Sequence, residues 1–366
     1  MQPEYEIEGI HHITLVSGNA ERTARFYVET LGLEFIKKTV NFDAPDTYHL
    51  YFGDRTGTPG TLVTFFEWPD APPGRIGVGT THHFAMTVED AEGQLKWKRR
   101  LTDAGVNVSG PYDRYAFKSI YFRDPDGVIL EIATRGPGWE VTRNGQDVWI
   151  PPEDVQAGHR DEETIRATTW PEPVPAITPD MALDGLHHIS AMASDINRTD
   201  EFYRKVLNIP LIRKSVNYDD PEMPHWYWGP NEGRPGGIIT YFGMDPAIRR
   251  GRAVHGRIGR GLTHHFAFEA KTDEAQRYWQ ERLREQGVSV TPVLDRKYFH
   301  SIYFQDPDGH ILEIATAGPG FLVDQPVERL GLDLALPDWL EPQREQIEAG
   351  LAPIHVGTAA PAEATR

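Results

Sequence analysis

Cysteine is absent from this 366-residue chain. That removes disulfides, thiolate nucleophiles and sulfur-ligated zinc or iron–sulfur sites, so any metal must be held by nitrogen and oxygen. Positive charge is short as well. Against 54 acidic residues stand 37 basic ones, a formal charge of −17, which repels phosphates and argues against nucleic acid or an acidic membrane as a partner. Long hydrophobic runs are also missing. No window approaches the roughly 20 apolar residues of a membrane span, and the opening "MQPEYEIEGI" has neither the basic region nor the apolar stretch of a signal peptide. The remaining composition, 39% hydrophobic and 25% charged, is that of a soluble globular protein, expected in the cytoplasm. The length suffices for two or more domains with sizeable cores.

What the sequence does have is paired histidines. "IHHITLVS" at 10, "THHFAMTV" at 81, "LHHISAMA" at 186 and "THHFAFEA" at 263 place eight of the fifteen histidines in four pairs, each opening a strand-like run. The first and third pairs are offset by 188 − 12 = 176 residues. The same offset relates Phe26 and Tyr27 to Phe202 and Tyr203, Val40 and Asn41 to Val216 and Asn217, and His49 to His225. Between the second and fourth pairs the offset is 265 − 83 = 182, shared by Arg75 with Arg257, Glu131 with Glu313 and the two "GPG" segments. The six-residue change falls between "EWPDAPPG" and "MDPAIRRGRAVHG". The chain is an internal duplication.

Each half divides again. A strand, a helical stretch ("NAERTARFYVETLG", ended by Gly32 as a C-cap) and the runs "YHLYFG" and "TLVTFFEW" form one module. "EGQLKWKRRLTDAG", "SIYFRDPDG" and "VILEIAT" repeat that order in the next, with Asp-Pro-Asp-Gly as a tight turn. The expected fold is α+β, four βαβββ modules forming cupped mixed sheets. The expected divisions are an N-terminal half at 1–138, a draped, Pro-rich connector at 139–183, a C-terminal half at 184–320 and an extension at 321–366 with a frayed Ala-rich tail.

With "GIHHIT", "VNFDAPDTYHLYFGDRTGTPGT", "THHFAF", "DRKYFHSIYF", "ILEIATAGPGF" and "LPDWLEPQREQIEAGLAPI", the chain resembles the vicinal oxygen chelate superfamily, which pairs such modules around a metal. Within it, the likeness is greatest to iron-dependent hydroquinone-type ring-cleaving dioxygenases, and it covers most of the chain. Related modules also serve as isomerases, epimerases and drug-binding proteins.

Strand alternation places His12 on one face with Thr14, His83 with Ala85, His188 with Ser190 and His265 with Ala267. The resemblance implies helices over the other face and a cavity under this one, so the second histidine of each pair is the better ligand. For His11 and His264 it implies contact with substrate at the cavity mouth. Glu131 and Glu313 stand between apolar neighbours, where a carboxylate is costly without a metal or charged partner. Glyoxalase-type isomerases carry a further carboxylate ligand on the corresponding strand of the odd modules. Here Thr64 and Thr240 stand there, so each site has two histidines and one glutamate, with open positions as in non-heme Fe(II) oxygenases.

Two pairings of modules fit the motifs. Pairing inside each half would join His12, His83 and Glu131; cross-pairing would join His12, His265 and Glu313, leaving His83, Glu131 and His188 for a second site. The resemblance favours cross-pairing, with the first of these as the primary site. Tyr303 precedes Glu313 by ten residues and Arg296 precedes it by seventeen, as Tyr121 and Arg114 precede Glu131. His11, Thr14, His264, Arg296 and Tyr303 are therefore the catalytic candidates. The resemblance implies Fe(II), with Mn(II) fitting the same ligands, and a small aromatic substrate, hydroquinone-like or catecholic, opened with O₂. Homo-oligomerisation stays open. A metal-dependent lyase or isomerase, and a non-catalytic binding protein of the same fold, are the alternatives.

Overall fold

The computed structural model describes residues 5–139, 147–244 and 255–356; the Ala-rich tail and most of the longer loop between modules three and four lie outside them. Module one comprises β1 (Ile10–Ser17), α1 (Ala20–Arg25), β2 (Glu34–Asn41), β3 (Ala44–Gly53) and β4 (Leu62–Glu67). Module two comprises β5 (Thr81–Val88), α2 (Ala91–Asp103), β6 (Ser109–Asp113), β7 (Lys118–Arg123) and β8 (Ile129–Thr134). The connector adds β9 (Val148–Trp149) and α3 (Glu162–Ala167). Module three has β10 (Leu186–Ala193), α4 (Ile196–Glu201), β11 (Leu211–Asn217), β12 (Asp220–Trp228) and β13 (Ile238–Gly243). Module four has β14 (Thr263–Ala270), α5 (Asp273–Glu285), β15 (Leu294–Asp295), β16 (Phe299–Gln305) and β17 (Ile311–Pro319), and α6 (Arg344–Gly350) lies in the extension. This is the α+β fold of four βαβββ modules.

The sequence halves are not the structural units. One curled sheet runs β15-β16-β17-β14-β1-β4-β3-β2, and the other β6-β7-β8-β5-β10-β13-β12-β11-β9. Modules one and four share the first sheet, and modules three and two the second. The joint is antiparallel in both, with Thr14 opposite His265 and Ser190 opposite His83. Across the pseudo-twofold the repeated motifs meet each other: Arg75 bridges to Arg257, and Thr81 Oγ1 donates to Thr263 Oγ1 at 2.6 Å.

The convex faces carry the core. Ile13, Leu15, Phe84, Met86, Ile189, Phe266 and Phe268 are buried there with Trp97 and Leu101 of α2 and Trp279 and Leu283 of α5. Asp90 and Thr272 cap the two long helices by accepting from Gly93 N and Ala275 N, and each buried indole donates to a carbonyl, Trp97 to Met181 and Trp279 to Tyr5. No helix among the described residues is long and apolar enough to cross a membrane.

Two trailing segments close the cups. β9 pairs with β11 at Lys214 in the second sheet, while Leu334 of the extension bridges to Lys38 in the first; 38 + 176 = 214, so both grip the same position of the repeat. Trp139 packs on Phe117 and Tyr227, and its counterpart Phe321 (139 + 182) packs on Tyr298 and Tyr51. The extension is also pinned by Lys37, fully buried, whose Nζ donates to Asp324 Oδ1 at 2.8 Å and to the Phe321 carbonyl.

Candidate metal centres

The doubled histidines have a backbone cause. In the β1–β14 ladder Ile10 faces Phe268 while His12 faces Ala267, so His11 is one residue too many. Thr14 faces His265 and Leu15 faces Thr263, which makes His264 the extra residue on the other strand. The β10–β5 ladder repeats both shifts, at His187 and His82. All four leading histidines are thus β-bulge residues. A bulge breaks alternation locally and re-aims a side chain, so neighbouring imidazoles that should point apart touch instead. His11 and His12 approach through their Nδ1 atoms at 2.9 Å, His82 and His83 at 2.8 Å, His187 and His188 at 2.9 Å, and His264 and His265 at 2.8 Å.

That contact turns Nε2 of each following histidine toward a buried glutamate. Glu313 Oε2 lies 3.3 Å from His12 Nε2 and 3.0 Å from His265 Nε2, and the two nitrogens are 3.4 Å apart. Glu131 Oε2 lies 3.0 Å from His83 Nε2 and 3.3 Å from His188 Nε2, with 3.2 Å between the nitrogens. The remaining oxygen of each carboxylate is held by a serine: Ser119 Oγ donates to Glu131 Oε1 at 2.5 Å, and Ser301 to Glu313 Oε1. Both glutamates are fully buried, and neither Oε2 has a hydrogen bond of acceptable angle. Donors about 2.1 Å from one ion and at right angles to each other stand about 3.0 Å apart. The spacing, the nitrogen–oxygen donor set and the orphaned oxygen all fit a first-row divalent ion at each trio.

The electrostatics suit ligation. Burial and the adjacent His12 push the His11 imidazole down to about 3, and burial with His265 does the same for His264. Burial raises the carboxyl of Glu313, but His12 and His265 beside it more than reverse this and hold it well below the usual carboxylate range. A neutral imidazole therefore stands behind each ligand histidine, and Glu313 is ionised, the form in which a carboxylate binds a metal. His11 also has a backbone hydrogen bond to Thr316. In the tautomer with Nε2–H toward that backbone, His11 Nδ1 would accept from His12 Nδ1–H, which would leave the His12 Nε2 lone pair facing inward.

His11 is consequently not at a cavity mouth. It is 1% exposed, behind His12 and against Phe299; the bulge, invisible to simple alternation, puts it there. His264 is half-buried between Phe66 and Trp68, and its counterpart His82 lines the cavity of the second centre. Thr14 is buried, its Oγ1 2.8 Å from Thr64 Oγ1. Tyr303 faces Glu313 directly across β16 and β17 with its ring edge-on to His265, and the Arg296 guanidinium lies 5.4 Å from that ring. Burial and Glu313 push the Tyr303 phenol up despite Arg296, so it stays protonated and can donate. Arg296 is mostly buried and pairs with Asp43 at 3.0 Å; Arg114 approaches Asp219 at 3.6 Å in the same way.

Sequence reasoning passed over three groups. His49 Nε2 lies 3.0 Å from Thr64 Oγ1 and its Nδ1 3.0 Å from Tyr51 Oη; His225, Thr240 and Tyr227 repeat this at 2.9 and 2.8 Å. Their signal was the repeat itself, since His49 and His225 share the 176-residue offset. The serines Ser119 and Ser301 could have been read from alternation, two residues before each tyrosine on the same face. Arg160, brought by the connector to the second cavity, left no signal, because nothing in the other half repeats it.

Paired βαβββ modules closing a cup around two histidines and a glutamate define a metal-binding class of this fold. The chain belongs to the Glyoxalase/Bleomycin resistance protein/Dioxygenase superfamily, whose model matches residues 9–132 and 185–314. It is 34% identical to MhqO of Bacillus subtilis (strain 168), described provisionally as a ring-cleaving dioxygenase, over 95% of this chain and 97% of that protein. It is 29% identical to the chlorohydroquinone/hydroquinone 1,2-dioxygenase of Sphingobium indicum over 95% and 97%. Among solved structures, a Bacillus subtilis protein described provisionally as a dioxygenase superposes with a TM-score of 0.76 at 31% identity, covering 96% of this chain and 99% of that one. Glyoxalase I from Zea mays, at 17% identity and a TM-score of 0.56 over 84% and 92%, shares the fold.

Proposed function

We propose that this protein is a metal-dependent dioxygenase that opens hydroquinone-like or catecholic rings with O₂, working at the His12–His265–Glu313 centre, with Fe(II) its ion and Mn(II) an alternative occupant. The carrying observation is the buried cluster of two histidines and one glutamate, with no fourth His, Asp or Glu grouped with it among the described residues. At the position where a fourth would stand, Thr64 is committed to hydrogen bonds with Thr14 and His49. Relatives named as hydroquinone and ring-cleaving dioxygenases support the same class.

Bound Fe(II) would supply adjacent open positions and one-electron chemistry. The chain's own residues do the rest. His12, His265 and Glu313 hold the ion, with His11 and Ser301 fixing the orientation of two of them. Tyr303, protonated, donates toward negative charge developing on a ring or oxygen atom, and Arg296 offsets that charge from behind the phenol. His264 accepts His265 Nδ1–H through its Nδ1, which leaves its Nε2–H as a second neutral donor for proton transfer. Phe66, Phe299 and Trp68 surround the histidines and limit water.

Anaerobic reconstitution with Fe(II), followed by oxygen-electrode assays on a panel of hydroquinones and catechols, tests the reading. Oxygen uptake matched to ring consumption is expected. No uptake with any member, or turnover of a glyoxal adduct without oxygen, would overturn it.

A further inference from the structure

The trio His83, His188 and Glu131 opens into a cavity of about 460 Å³, ample for a substituted ring. Its wall can be compared with that of the first centre, position by position, through the two repeat offsets. Phe42 of module one becomes Tyr218 (42 + 176), and Leu294 of module four is matched by Tyr112 (294 − 182). Arg114 and Asp219 keep the places of Arg296 and Asp43. The connector then adds Arg160, whose guanidinium lies 4.4 Å from the Tyr112 ring, while Arg114 lies 5.3 Å from it. Arg160 pairs with Glu162 at 2.5 Å and touches Asp219 at 2.7 Å, yet its buried Nη1 lacks a well-angled hydrogen bond.

Counted over the lining alone the charges do not cancel, because Glu162, which pairs with Arg160, is exposed and not part of the lining. The lining holds two guanidiniums, Arg114 and Arg160, and one carboxylate, Asp219, which both approach. At the first centre the matching pair, Arg296 and Asp43, sums to zero. The phenols of Tyr112, Tyr121 and Tyr218 also stand on the second wall. A planar guanidinium fork is suited to a carboxylate.

We propose that His83, His188 and Glu131 form a second, independent metal centre. Its connector-walled cavity binds dihydroxylated rings bearing an anionic substituent, such as a carboxylated hydroquinone. The metal chemistry rests on the reading of the first centre, but the ligand class follows from Arg114 and Arg160. His83, His188 and Glu131 would hold the ion that supplies a site for a ring hydroxyl, Tyr121 would donate beside it, and Arg160 would receive the substituent.

The test uses full-length protein, loaded anaerobically with Fe(II), and two readouts besides activity: metal ions per chain, and calorimetric titration with 2,5-dihydroxybenzoate and with hydroquinone. Two ions per chain are expected for the natural sequence and one each for Glu131→Gln and Glu313→Gln. Glu131→Gln should abolish dihydroxybenzoate binding while Glu313→Gln keeps it. Arg160→Ala should weaken dihydroxybenzoate at least 10-fold and hydroquinone less than 2-fold. If Glu131→Gln does not fold, His83→Gln, which removes a different donor of the same trio, takes its place. Only one ion in the natural chain and no loss of it on Glu131→Gln, dihydroxybenzoate binding that follows Glu313 instead, or indifference to Arg160→Ala would each overturn the proposal. Absent oxygen uptake with hydroquinone, by contrast, sinks only the reading of the first centre and leaves the metal counts and titrations standing.

Discussion

The two centres match in their donors and differ in their walls. From Nε2 of each histidine to the carboxylate the distances are 3.3 and 3.0 Å in one and 3.3 and 3.0 Å in the other. Around them, Leu294 and Phe42 answer to Tyr112 and Tyr218, and the extension covers one cup where the connector covers the other. Donors come from central strands whose register is fixed by ladders on both sides, so duplication copied them intact. Walls come partly from trailing segments that run over the rim and hold fewer ladder bonds, so they were free to diverge.

The largest effect that could break this comparison is a complete loss at one centre. His12→Ala combined with Glu313→Ala should empty the first site and leave one metal ion per chain; a count of zero would mean the trios are not assembled across the halves. Next, Tyr303→Phe should keep the metal and slow turnover about 100-fold, the order expected for one positioned proton donor, while an unchanged rate would return Tyr303 to packing. Smaller again is the effect of a bulge residue. His11→Phe should lower affinity at the first centre about 10- to 100-fold, as loss of an outer partner does, and leave the second unchanged in competition with a chelator.

The smallest effect separates two buried aspartates that the repeat makes equivalent. Asp306 (124 + 182) sits against His310, where Asp124 has Val128. Burial raises Asp306, but His310 at 2.8 Å more than reverses this and lowers it; Asp124, without that partner, is pushed up to about 7 by burial. The folded state thus holds a proton on Asp124 that the unfolded chain has lost above about pH 3.9. Stability from this group is full below that pH and declines as pH rises through about 7. Asp124→Asn keeps an acceptor for the amides of Asp126 and Val128. It should change stability by less than about 1 kcal/mol near pH 5 and gain on the natural sequence toward pH 8, read from urea midpoints. A constant difference across that range would show that Asp124 is ionised in the fold.

Much of this was legible in the sequence because its periods are physical. The two offsets exposed the duplication, alternation separated His12 and His265 from the core face, and the ten-residue spacing placed Tyr303 directly opposite Glu313. The position of His11 was not legible. One extra residue in a ladder carries no mark in a single sequence, since it is defined only against a partner strand about 250 residues away. Arg160 was hidden for the opposite reason: the connector has no repeat to compare with, and its path depends on what the rim of the cup offers.

Cross-pairing also has a consequence for how the chain comes into being. β1 leaves the ribosome early, but its antiparallel partner begins at Thr263, and Glu313 arrives later still. Until then the first half carries two sheet edges with open hydrogen-bonding groups, and contacts of such long sequence separation close slowly. Neither half made alone would finish a sheet. Two nascent chains held close could complete each other's sheets instead of their own, giving an exchanged dimer with every ladder satisfied and each cup built from two polypeptides.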